Sequence, residues 1–374
     1  MRQETLYAMA LTRLSYFNPG ELLMVYQRAG NATTIMEHRK DIRDVFPDCS
    51  MRLVEALGGC DEALKRAEAE LEYDERYGVH VICYNDDEYP QRLRECPDAP
   101  VVLYYNGIAD LNSQRVVNII GTRQCTAYGR DMIRSFVRDL RIACGDVLIV
   151  SGLAYGVDVC AHREALANGL PTVGVLAHGL DDLYPGSHRN TAQQMVAHGG
   201  LLTEYMTQTN ADKRNFVKRN RIVAGMSDAC LLVESAAKGG GLITARISRG
   251  YNRDVFAFPG KVGDTYSEGC NNMIRDNVAA LITCADDFVN AMGWQNDSLL
   301  REKRDQGIER DLFPMLNDDE RKVAEVLGKT NDLPVNILSV QSGLSVAQLS
   351  SLLFEMEMKG VVRMLAGGTY HLIK

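Results

Sequence analysis

The sequence predicts a doubly wound, mostly parallel α/β sheet flanked by a small helical N-terminal domain and a C-terminal winged-helix domain. Two observations lead there. Between residues 113 and 293, apolar runs of strand length alternate with segments of helical spacing. Near-continuous apolar strands are buried on both faces, as in a parallel sheet covered by helices. In the last sixty residues, three helical stretches precede a short hairpin, the order of a helical domain with a two-stranded wing.

Residues 1–75 read as helices, with apolar positions at helical spacing in LYAMALTRL and ELLMVYQRAG and turn signals at Asn18-Pro19-Gly20 and Gly58-Gly59. This segment carries nine Lys/Arg against fourteen Asp/Glu and lacks a Gly-x-Gly hairpin with basic flanks, so packing or protein contacts suit it better than DNA phosphates. From 76 to 112, VHVICY and PVVLYYNG form a strand pair appended to the central domain, which extends to 293. The strands VVNII, VLIVSG and TVGVLAHG are each followed by a helix, starting near Tyr128, Asp158 and Asn190. LLTEY, DACLLVES, DVFAFPG and AALITC continue the pattern. Residues 294–313 are charged and poor in large apolar side chains, a linker, and 314–374 form the winged-helix domain.

Bulk properties exclude several classes. No apolar run approaches the roughly 18 residues of a membrane span, and MRQETLYAMALTRL lacks a signal peptide's apolar core and cleavage site. Ten cysteines without a single CxxC pair read as reduced thiols of a cytoplasmic protein, not a zinc site or disulfide framework. A formal net charge of -8 argues against bulk attraction to nucleic acid, so any such site must be local.

Local candidates exist. In an open α/β sheet, ligands bind at the carboxyl ends of the strands, where glycines and helix N-termini present amides. Four strands of this Rossmann-like pattern exit into glycines: Gly121-Thr122-Arg123, Ser151-Gly152 with Gly156, Gly239-Gly240-Gly241, and Pro259-Gly260. Arg123 offers a planar fork for phosphate. The segment 212–221, DKRNFVKRNR, packs Lys213, Arg214, Lys218, Arg219 and Arg221 around Phe216, and an aromatic within cations suits single strands. Asp158 is expected to cap its helix and fix the SGLAYGVD loop. His162 reads as a packed or capping histidine, and Asp181, Asp182 and Glu204 lack the spacing of a metal site. There is no GxGxxG and no Walker motif, so no cofactor is expected.

At these residues the sequence resembles the DprA/Smf family of DNA-processing proteins of bacterial transformation. The matching segments are GTR at 121–123, SGLAYGVD at 151–158, AH at 161–162, YP at 184–185 and RNRI at 219–222, followed by GGGLITA at 239–245, PG at 259–260 and SEGCNNMI at 267–274. The resemblance implies a homodimer that binds single-stranded DNA without marked sequence preference, shields it, and recruits the recombinase RecA. It places Arg123, Lys213, Phe216, Arg219 and Asn220 in the strand-binding pocket, with Arg221 beside them. Gly121, Gly152, Gly240 and Ser267 would add backbone or hydroxyl contacts. The family's usual Ser-Gly-Ser before LITA is Gly239-Gly240-Gly241 here.

Two rival readings remain. Nucleotide phosphoribohydrolases share the glycine placement but carry a catalytic acid in a PGGxGTxxE-type loop, where GGGLITARIS offers no Glu. A duplex-binding regulator would use the winged helix, yet Ser345 to Met358 contains no Lys or Arg.

Overall fold

The computed structural model describes residues 2–14, 19–294, 316–331, 333–359, 361–365 and 368–372. The chain divides into two compact units, Met1–Asn296 and Asp297–Lys374. Apart from Trp294, the segment 294–313 read as a linker lies outside the described residues.

The first unit is built on a sheet in the order β1-β2-β6-β5-β4-β3-β7-β8-β9. Its center is parallel and short-stranded: β3 (Val116–Ile120), β4 (Leu148–Ser151), β5 (Thr172–Val175), β6 (Gly200–Thr203), β7 (Ala229–Leu232), β8 (Asp254–Ala257) and β9 (Ala280–Leu281). Every residue of β3 to β7 is buried, which is why these strands read as unbroken apolar runs. The appended pair, β1 (His80–Cys83) and β2 (Val102–Gly107), is antiparallel and joins the edge at β6, also antiparallel.

Helices cover both faces. The residues of α8 (Ala127–Cys144), α9 (Val157–Ala167) and α14 (Ala285–Met292) pack one apolar cluster with Ile119, Ile149 and Leu231. On the other face lie α11 (Lys213–Gly225), α12 (Gly241–Gly250) and α13 (Glu268–Arg275). The buried side chains of α1 (Arg2–Thr12), α2 (Pro19–Ala29), α3 (Ala32–Glu37), α4 (Ile42–Val45), α5 (Met51–Gly58) and α6 (Asp61–Tyr77) belong to that same cluster. One acid ties these helices together: the Glu4 carboxylate accepts the amides of Ala32 and Thr33 at 2.7 and 2.8 Å and the Tyr26 hydroxyl at 2.9 Å. The short α7 (Gln91–Arg94) and α10 (Arg189–His198) complete the unit.

The second unit has its own core of Val323, Leu327, Leu338, Leu349, Leu353 and Met356. It contains α15 (Asp318–Lys329), α16 (Val335–Ser342) and α17 (Val346–Met358), then the wing hairpin of β11 (Val362–Leu365) and β12 (Thr369–Leu372), with β10 (Leu333–Pro334) on β12. Capping boxes start α15 at Asn317 and α17 at Ser345. Among the described residues no single helix is long and apolar enough to cross a membrane.

Candidate nucleic-acid interface

The strand order reverses at β3. From β3 the chain moves through β4, β5 and β6 on one side, then returns to β7 on the other. The segments leaving β3 and β7 lead to helices on opposite faces, so a crevice opens between them at the carboxyl ends. It holds a cleft of about 680 Å³ lined by Gly121, Thr122, Arg123, Gly152, Lys213, Phe216, Arg219, Asn220, Lys238 and Gly239 to Gly241, among others.

Helical periodicity decides which side of α11 faces the cleft. Asp212 caps it, accepting the Asn215 amide at 2.8 Å. Lys213, Phe216, Val217 and Asn220 then share one face and line the cleft. The basic run is thereby divided. Lys218 points toward a different depression, beside Asn215 and Glu204. Arg221, expected in the strand pocket, is buried away from it and paired with the Glu204 carboxylate. Its position five residues after Phe216 turns it off the cleft face.

Arg219 is in the pocket wall, but as a structural cation. It is 3% exposed and donates to the carbonyl of Gly152 at 2.7 Å and to that of Val175. Burial lowers its pKa, opposed by the nearby charge of Asp158. Asp158 is itself buried; desolvation raises its pKa against the lowering influence of Arg219. Asp158 does not occupy the N-cap of α9, which is Gly156 at φ +80°. It stands in the first turn and accepts the Gly152 amide at 3.1 Å, fixing the loop. With its amide on Asp158 and its carbonyl on Arg219, Gly152 has no free backbone group to offer a ligand. Its glycine identity has a steric cause instead, since a Cβ would stand 2.3 Å from the Arg219 guanidinium.

The exposed chemistry is carried by Arg123, Lys213 and Lys238, around the half-buried Phe216. The Arg123 guanidinium lies 5.2 Å from the Phe216 ring centroid and that of Arg219 lies 5.9 Å from it. Tyr184 stands edge-on to the same ring at 5.8 Å. Phe216 is therefore the hub of a cation–aromatic cluster, not an open platform. Opposite it, α12 begins at Gly240 without a side-chain cap; the Leu242 and Ile243 amides donate to the carbonyls of Gly239 and Gly240 at 3.3 and 3.1 Å, which leaves the Gly240 and Gly241 amides for an incoming group. A Cβ on Gly240 would meet nothing within 4 Å, whereas one on Gly239 would stand 2.2 Å from the Ser235 hydroxyl. Ser235 thus fills the space that a side chain at 239 would need, a physical reason for glycine at that departure from the family pattern. Gly121 lies where a Cβ would strike Val157 at 2.6 Å, so it permits the close seating of α9 beneath the loop.

Ser267 falls outside this cleft. It borders a neighboring depression with Tyr128, Glu234, Lys261 and Tyr266, and is 7% exposed against Gly260. Sequence reasoning missed Tyr184 and Lys238 as lining residues. The YP pair marked Tyr184 only as a motif, and Lys238 is one cation with no patterned neighbor. His162 is buried, with Nδ1 2.7 Å from the Thr172 hydroxyl, which donates to the Ile149 carbonyl at 2.9 Å. Among the described residues no group of three or more His, Cys, Asp or Glu could hold a metal ion.

Comparison with known proteins places this geometry. The DNA recombination-mediator protein A family model matches residues 80–293, and the DprA winged helix domain matches residues 312–368. Protein Smf of Escherichia coli is 30% identical over 315 residues, 81% of this chain and 80% of that one. The X-ray structure of DNA processing protein A from Streptococcus pneumoniae superposes with a TM-score of 0.66 at 30% identity, covering 77% of this chain and 97% of that one. A Helicobacter pylori structure, described for the single-stranded DNA binding mode of its DNA processing protein A, superposes with a TM-score of 0.52 at 28% identity over 60% of this chain and 96% of that one.

Proposed function

This chain belongs to the DNA recombination-mediator protein A family of DNA-processing proteins, and from that premise we propose that its cleft holds the backbone of single-stranded DNA without reading sequence. The observation that carries this reading is a local concentration of cations around an aromatic ring at the strand ends of an acidic chain. Arg123, Lys213 and Lys238 border one cleft with Phe216 and the uncapped start of α12. Cations and helix amides hold phosphates, while an aromatic hub accepts any base, since every base has a π-face. The single-stranded DNA mode described for the Helicobacter pylori protein supports the same ligand here.

Binding, not turnover, is the proposed role. The one carboxylate lining the cleft among the described residues is Asp158, committed to the Gly152 amide. No acid is left facing the cleft to protonate a leaving base. The family's description as a recombination mediator supports the further step, in which the protected strand is passed to the RecA recombinase by a homodimer. A mobility-shift titration of full-length protein with oligothymidylate and with duplex of equal length tests the central claim. Equal affinity for both would overturn it.

A further inference from the structure

The helix that carries part of the cleft has a second flank. An α-helix turns about 100° per residue, so over the first turns of α11 Lys213, Val217, Arg214 and Lys218 follow one another around it at about 0, 40, 100 and 140°. All four are exposed, while Asn215 and Phe216 fall on the other side, half-buried. The two ends of this arc meet different hollows. Lys213 and Val217 border the cleft, and Lys218 borders a depression of about 280 Å³ on the far flank. Arg214 lies between them on the crest.

The depression combines an apolar floor with a cationic rim. Leu22 of α2, Val101 and Val102 at the start of β2, and Met206 are buried in its lining. Arg13, exposed just after α1, joins Lys218 at its edge. Glu204 is the one acid lining it among the described residues, and it is neutralized by its pair with Arg221. By contrast, none of Arg13, Lys213, Arg214 and Lys218 forms an ion pair with another described residue. Four uncompensated cations thus run from the cleft, across the helix, to a second hollow, in a chain of net charge -8.

We propose that a single strand held in the cleft continues over the exposed arc of α11 and seats a further base in this depression. The inference rests on the single-strand reading above and gives it a direction and a length. Lys213 and Arg214 hold successive phosphates on the crest, and Lys218 and Arg13 hold the phosphate at the depression. The base lies on the apolar floor, which accepts any base as a stacking surface does. A helix with its side chains is about 10 Å across, a crest that roughly three nucleotides span. An oligomer that only fills the cleft does not reach Lys218.

The test compares the full chain with Arg13→Ala, Lys218→Ala and the Arg214→Ala/Lys218→Ala double variant. Each is titrated over a range of salt with oligothymidylates of about five and about twenty nucleotides, below and above the length that the crossing needs. With the long oligomer, each single variant should lower the slope of log affinity against log salt by about 0.7, and the double variant by about 1.4. With the short oligomer all three should match the unmodified chain. Ultraviolet crosslinking and peptide mapping should join a thymine of the long oligomer, and not of the short one, to the 205–206 segment. Equal losses at both lengths, no loss with the long oligomer, or crosslinks confined to the cleft would overturn this path and leave the cleft reading standing. Failure of the unmodified chain to bind either length would overturn both.

Discussion

The Arg123 guanidinium lies 5.2 Å from the centroid of the Phe216 ring, so in the free protein a cation already holds the aromatic. Under the proposed function, a nucleotide must displace or share that contact. Phe216→Ala should therefore cost roughly 1–3 kcal/mol of single-strand binding, and leucine should restore little because it lacks a π-face. The effects of Arg123→Ala and Phe216→Ala should sum to more than the double variant loses, as expected for residues in contact. Titration of the four proteins with oligothymidylate checks this; full rescue by leucine would reduce Phe216 to packing.

Arg123 is exposed, so Arg123→Ala should melt like the unmodified protein. Losing one phosphate contact should reduce the slope of log affinity against log salt by about 0.7. An unchanged slope at unchanged affinity would remove Arg123 from the interface.

Arg219 should behave in the opposite way. Arg219→Met leaves the carbonyls of Gly152 and Val175 unpaired and Asp158 buried without its neighboring cation. A loss on the order of 3 kcal/mol of folding stability is expected, read as a lower urea midpoint. Lysine should not rescue it, because both bonds come from Nη1, one bond farther from the backbone than a lysine ammonium. A stable Arg219→Met protein with weakened DNA binding would return this residue to direct strand contact.

How much of this was legible in the sequence differs between fold and site. The strands β3 to β8 read correctly because parallel strands buried on both faces must be apolar throughout, as in VVNII and ACLL. The cleft's place followed from glycines at strand ends. The basic run misled, because a count of charges does not say which way a helix is turned. Lys213 and Phe216 share the cleft face of α11, while Arg221, as cationic as either, is paired with Glu204. Gly152 was expected to offer its amide; only the folded loop reveals that Asp158 has taken it.

A pH test follows from His162. Burial lowers its pKa from 6.5 to about 3, with repulsion from Arg219 and His188 adding to it. The unfolded chain takes up a proton below about 6.5 that the folded chain refuses. Stability from this site is therefore full above that pH and falls between about 6.5 and 3, by up to about 1.4 kcal/mol per pH unit. His162→Gln should flatten the difference in urea midpoint between pH 7 and pH 5. An undiminished difference would assign that slope to the carboxylates.

The second unit should not grip duplex DNA. Its third helix, α17, has no Lys or Arg and exposes Phe354, Met358, Glu355 and Glu357. Base edges and phosphates in a major groove need the donors this helix lacks. A fragment beginning near residue 312 should show no duplex binding at physiological salt, and a chain ending near Asn296 should keep most of its single-strand affinity. Micromolar duplex binding by the fragment would reverse this reading.

The cleft at the β3–β7 crevice is assembled from residues as far apart as Gly121 and Thr244, contributed from both faces of one sheet. No stretch of the unfolded chain contains it. Occupancy and folding are therefore thermodynamically linked: a ligand that requires all these segments at once selects the native state. At a hundredfold excess over its dissociation constant it would add about 2.7 kcal/mol to the stability of the whole unit, remote helices included.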